Sequence, residues 1–189
     1  MLDPGAERVR RFYDIAFTPS VKAEQERRGS RSHYAGDSST NEILAAREDE
    51  FIVARDGFYL STVNEDGWPY VQFRGGPPGF VRHVGNNVLR FPDFRGNHQY
   101  LSVGNAAAEQ RCCIFLMDYA DRRRLKIFGL LEFADVVDAP HVRAELGIEG
   151  YKAVLERVAS VRVMAFDWNC AQHIPRRLTE EPSARIGAD

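Results

Sequence analysis

Cysteine is scarce, charge of one sign is missing, and no apolar run is long. Three cysteines in 189 residues, Cys112, Cys113 and Cys170, do not make a disulfide framework. Cys112 and Cys113, adjacent on a strand, point to opposite faces and lack metal-ligand spacing. Lys and Arg number 25 against 27 Asp and Glu; so weak an overall field gives no support to a nucleic-acid or anionic-membrane role. No terminal stretch approaches the length of a membrane span, and MLDPGAERVRRFYD carries no secretory apolar region. A reducing cytoplasm is the expectation. P-loop, GxGxxG, nucleophile-elbow, HxxxH and CxxC patterns are all missing, so no metal is expected.

What is present is a chain that changes period. The first fifty residues read as helical. Val9, Phe12, Tyr13 and Phe17 recur at helical spacing. Thr18 and Pro19 form a cap with proline at the first helical position, and that helix stops at Gly29. Ser39 and Glu42 suit a capping box for a third helix, with Ile43, Leu44, Phe51 and Ile52 on one face. From residue 58 the period becomes two. FYLSTV and WPYVQFR flank NEDG, a hairpin signal. Strands are expected at 78–84 and 87–92, a helix at 97–103, long apolar strands in RCCIFLMDY and LKIFGLLEFADVV, a helix through YKAVLERVA, and a last strand in SVRVMAFDWN. Pro69 marks an edge or bulge. About six strands joined by tight turns predict a mainly β fold, an antiparallel barrel with α additions.

The stretch FPDFRGNHQY gathers Asp93, Arg95, Asn97, His98 and Gln99 around Gly96 at a strand-to-helix corner. Backbone donors, a helix N-terminus and an arginine suit a phosphate. A solvated helix cap reads equally well from this stretch alone.

Four segments together resemble the flavin-nucleotide-binding proteins related to pyridoxamine 5′-phosphate oxidase: FYLSTVNEDGWPYVQFRGG, LRFPDFRGNHQY, FLMDYADRRRLKIFGLLEF and FDWNCAQHIP. The resemblance covers roughly residues 50–178. It implies an FMN-binding split β-barrel, with FMN at the interface of a homodimer. The expected division is residues 1–56 as an N-terminal helical extension packed on the barrel, 57–178 as the split-barrel flavin-binding domain, and 179–189 as a flexible tail. Gln72 falls where the oxidase has an arginine for the FMN phosphate, with Arg74 two residues on. Phe91 and Pro92 match a stretch running along the isoalloxazine. Gly96, Asn97 and His98 match a Ser-Arg-Lys phosphate cluster, so the charge must come from Arg95 or Arg74. Arg124 and Lys126 match positions reaching the flavin from the neighbouring subunit, and Trp168 an aromatic residue beside it; Trp168 or Phe91 would give ring contact. The family's substrate segment is matched only loosely, through His173, Arg176 and Arg177.

The implied function is an FMN-dependent oxidoreductase acting on a small organic molecule, with NADH, NADPH or oxygen as redox partner. No residue stands out as a required acid or base, as expected where flavin carries the electrons. Two alternatives stand beside it: a deazaflavin-dependent reductase, and a non-catalytic flavin-binding or storage protein. Read without the resemblance, Arg122–Arg124 is a solvated turn, Trp168 a core residue, and the two histidines His98 and His173 surface imidazoles.

Overall fold

The computed structural model describes residues 12–34, 43–168 and 172–178. Its centre is one antiparallel sheet of seven strands in the order β2-β1-β5-β6-β7-β4-β3. These are β1 (Gly57–Val63), β2 (Pro69–Gly75), β3 (Arg82–His83), β4 (Val88–Phe94), β5 (Arg111–Asp118), β6 (Arg123–Asp135) and β7 (Leu155–Trp168). The alternation that predicts these strands also sets their register. Leu60 lies opposite Ile114, Ile114 opposite Ile127, and Leu131 opposite Val161, which faces Leu89 across its other edge. All six are buried in a single core, so one face of every central strand is apolar because that face is inside. The sheet curls until β2 and β4 approach, and no ladder closes the gap. The architecture is a split antiparallel barrel, mainly β, as the sequence motifs imply.

Asn64–Gly67 makes the predicted hairpin. Asn64 accepts the backbone N–H groups of Asp66 and Trp68 at 3.1 and 2.8 Å, and Gly67 takes φ +84°. The helices are α1 (Phe12–Ala16), α2 (Pro19–Arg27), α3 (Ala46–Val53), α4 (Leu101–Ala108) and α5 (Pro140–Glu145). Thr18 caps α2, accepting from Val21 N, and Gly29 follows its end at φ +72°. Helix α3 places Phe51 and Ile52 in the barrel core. Its cap is Glu48, which accepts the N–H of Ala45 at 3.2 Å; Ser39 and Glu42 lie outside the described residues, as do Val9, Cys170 and 179–189. Ile43 precedes the helix and is exposed, so it does not share the buried face of Leu44. No helix among the described residues is long and apolar enough to cross a membrane.

Two further expectations change. Residues 151–159 are not a helix: from Leu155 they form the first half of β7, paired to β4 on one side and β6 on the other. Pairing on both edges outweighs the local preference of a segment that happens to show helical spacing. Helix α4 begins at Leu101 rather than near Gly96, because His98 (φ +62°) and Tyr100 (φ +51°) hold left-handed backbone that no α-helix contains. Expected strands at 78–84 and 87–92 shrink to β3 and shift to β4.

Strand β7 carries a bulge against each neighbour. Asp93 pairs with Arg157 and Phe94 with Leu155, leaving Glu156 unopposed. Phe128 pairs with Ala165 and Gly129 with Val163, leaving Met164 unopposed. Such bulges re-aim side chains, and each lies beside one of the cavities described below.

Candidate functional site

Where β2 and β4 approach, the seam is stitched by charge. The β1–β2 register puts Tyr70, Gln72 and Arg74 opposite Thr62, Leu60 and Phe58, so the three face inward from an edge strand. Asp93, two residues past the core residue Phe91, faces inward from β4 and is only 2% exposed. Arg74 donates to Asp93 Oδ1, and Arg157 Nε donates to Oδ2 at 2.7 Å. The unopposed Glu156 accepts from Arg157 Nη2 at 3.0 Å and from Arg95 Nε at 2.9 Å. Three guanidiniums therefore meet two carboxylates; Arg95 and Glu156 pair outside the recess, and within it Arg74 and Arg157 meet Asp93 alone, one positive charge in excess. Burial lowers the affinity of Arg157 for its proton, but the bonds to Asp93 and Glu156 more than offset it, and its pKa is raised. Arg95, ahead of the other contributions, holds the Glu156 carboxyl below its usual range.

Helix α4 closes one side of this corner. Ser102 Oγ donates to Gln72 Oε1 at 3.0 Å, and Asn105 Nδ2 to Thr62 Oγ1 at 2.9 Å. No side chain caps its first turn, so the N–H groups of Leu101, Ser102 and Val103 remain available. The preceding loop is held by Asn97, whose Oδ1 accepts from Gln99 N at 3.2 Å. The rings of His98 and Tyr100 stack at 5.9 Å, and the Arg157 guanidinium lies 4.9 Å from the centre of Tyr100.

Gln72, Arg74, Asp93, Gly96, Asn97, His98 and Gln99 line one recess here, of about 40 Å³. One water needs roughly 10–15 Å³ in such a measure, so the recess suits a head group rather than a ring system. Arg74 Nε is buried and has no hydrogen-bond partner.

Other expected residues lie elsewhere. Arg95 points away from the recess, mostly exposed and bound to Glu156, and Arg157 supplies the second inward guanidinium. Sequence reasoning missed Arg157, Ser102 and Tyr100; Glu156 and Arg157 were hidden in the segment expected to be helical. The Phe91 ring is fully buried, edge-on to Phe58 at 5.0 Å, which corrects the expectation of ring contact from that side chain. Pro92 is buried on the opposite face of β4, across from Val158. Arg124 and Lys126 lie on the outer face of β6. Lys126 reaches Asp167 at 3.6 Å and sits 4.7 Å from the Phe12 ring centre. Trp168 is held within its own chain: its Nε1 donates to Glu48 at 2.7 Å, and Arg47 and Arg123 lie 4.5 and 5.0 Å from its ring centre. The Arg177 guanidinium lies over Tyr119, and neither His173 nor Arg176 joins the recess. Among the described residues there is no cluster of metal-ligating side chains.

No protein-family model matches the chain, and no curated protein matches it. Solved structures do. HupZ from Group A Streptococcus overlays at a TM-score of 0.53, with 12% identity over 67% of this chain and 100% of that one. The chain shares that structure's fold, here a split antiparallel barrel. An FMN-binding protein from Syntrophomonas wolfei overlays less closely, at a TM-score of 0.49, with 14% identity over 80% of this chain and 95% of that one. At such identities the likeness is one of fold.

Proposed function

We propose that this split barrel binds FMN, with the phosphate seated at the β2/β4 corner, and serves as an oxidoreductase for a small organic molecule. The observation that carries the reading is the orphaned Nε of Arg74, buried beside the uncapped first turn of α4. A phosphate oxygen would satisfy it, and the excess positive charge at the corner has the sign a phosphate needs. Gln72, Asn97 and Ser102 supply further polar groups around the same recess. When bound, flavin supplies the electron and hydride chemistry, with NADH, NADPH or oxygen as redox partner. The chain's own part is to hold the phosphate, fix the orientation of the ring and exclude water.

A homodimer completes the proposal. On the outer side of the β1–β2 hairpin Val71 and Phe73 are each 58% exposed, Trp68 is 72% exposed, and Tyr59 packs on Phe73. An apolar strip of this kind suits a second copy, whose flavin Arg124 and Lys126 would then approach from the outer face of β6.

The test is an absorption spectrum of the freshly purified protein, with mass analysis of what heat releases. FMN is expected; a deazaflavin would move the function to that branch, and a colourless protein that also ignores added FMN would overturn the reading. Within it, Arg157→Ala and Arg74→Ala each weaken FMN retention by about tenfold or more, the scale of one charge-assisted bond. Arg95→Ala leaves retention nearly unchanged.

A further inference from the structure

A second cavity, on the other side of the sheet, has the opposite chemistry. It is a cleft of about 590 Å³ between α1 and the outer faces of β1, β5 and β6. Its walls are Ile15, Val63, Phe128, Leu130 and Met164, with the Ser61 hydroxyl and the Cys113 thiol among them. Its charged residues, Asp14 and Arg111, are exposed at the rim, and Arg111 is ion-paired with Glu109. Helix α1 is pinned across it: Phe12 stacks on Phe128 at 4.9 Å, and behind it Tyr13, Phe17 and Tyr34 form a three-ring cluster.

The cleft is built into the sheet rather than left over between elements. The bulge opposite Gly129 turns Met164 out of the strand alternation into its floor. That bulge requires glycine, because a Cβ at residue 129 would lie 2.4 Å from Val161 Cγ1 and 2.9 Å from the Arg162 carbonyl oxygen. We infer that this cleft is a second ligand site, for a neutral, apolar small molecule with at most one hydrogen-bonding group. Its volume falls in the usual range for small-molecule sites, roughly 300–1,000 Å³. Among the described residues the only charged groups of the lining, Asp14 and Arg111, are exposed, so an ion seated on the apolar walls would find little to offset its desolvation. The inference does not depend on flavin, whose phosphate the proposal seats at the β2/β4 corner.

Titration of the full-length protein with Nile red, a neutral polarity-sensitive dye, tests it. Saturable emission enhancement at one dye per chain is expected. Ser61→Trp fills the cleft from the sheet and Ile15→Trp from the helix; each weakens dye binding about tenfold or more, with thermal melting and circular dichroism reporting that both variants fold. Val71→Asp, on the hairpin strip outside the cleft, leaves dye binding unchanged. Non-saturable binding, or affinity unaltered in both tryptophan variants, overturns the site. So does dye displacement from the unsubstituted protein that grows with protein concentration, because the cleft would then belong to a second copy.

Discussion

The two bulges of β7 serve opposite purposes. At Glu156 the extra residue carries charge to the β2/β4 seam, where Asp93 binds Arg74 and Arg157, and Glu156 binds Arg157 and one further guanidinium, Arg95. At Met164 the extra residue carries a thioether into a cleft whose described walls are mainly apolar. One strand thus joins a polar recess to an apolar slot on the reverse face. The corner is specified by who neutralises whom, the cleft by what fits. Damage should follow that division: removal of a charge should be severe at the corner, and addition of volume severe at the cleft.

The largest effect is expected from Asp93→Ala. It leaves Arg74 and Arg157 facing each other with about 14% and 13% of their side chains exposed. Breaking a buried pair while its partner stays charged costs about 3–5 kcal/mol, and urea unfolding should read a loss of that size. A loss below about 1 kcal/mol, the scale of exposed pairs, would mean that the triad is solvated and the corner no different from surface. Next comes Gly129→Ala on the cleft side. The added methyl meets both the Val161 side chain and a backbone carbonyl, and overpacking of this kind costs about 1–3 kcal/mol. Unfolding midpoints should fall accordingly and Nile red affinity with them, while FMN retention stays. If stability is untouched, the strand can shift and the bulge does not define the cleft.

The fold was legible in the sequence wherever the signal was local. Asn64–Gly67, Thr18-Pro19 and the alternating strands act within a few residues, and each appears where its chemistry puts it. The corner was legible in part. Gly96, Asn97, His98 and Gln99 stand together in the chain and line one recess. Their charge, however, comes from Arg157, 64 residues from the Asp93 it binds, within a segment whose spacing imitates a helix. Arg95 was the natural choice by proximity, but the bulged Glu156 draws it outward. The cleft left no trace in the sequence, because it exists only once Phe12 crosses to Phe128 and two strands fall out of register.

The smallest expected effect concerns Glu156, and it separates the corner's charge network from simple packing. Its carboxyl is held below the ordinary value of 4.5, first by Arg95 and then by Arg157 against the opposing effect of burial. A depressed carboxylate binds fewer protons folded than unfolded, so its stabilisation is complete above pH 4.5 and disappears as pH falls through the lower folded value. Glu156→Gln keeps the shape and removes the charge. Urea midpoints should favour the wild type at pH 7, the two should converge between pH 4.5 and strong acid, and the cleft variant Gly129→Ala should show no such convergence with the wild type. A gap for Glu156→Gln that is constant with pH would mean that the bulge acts there by shape, as it does at Met164, and the contrast between the two ends of β7 would collapse.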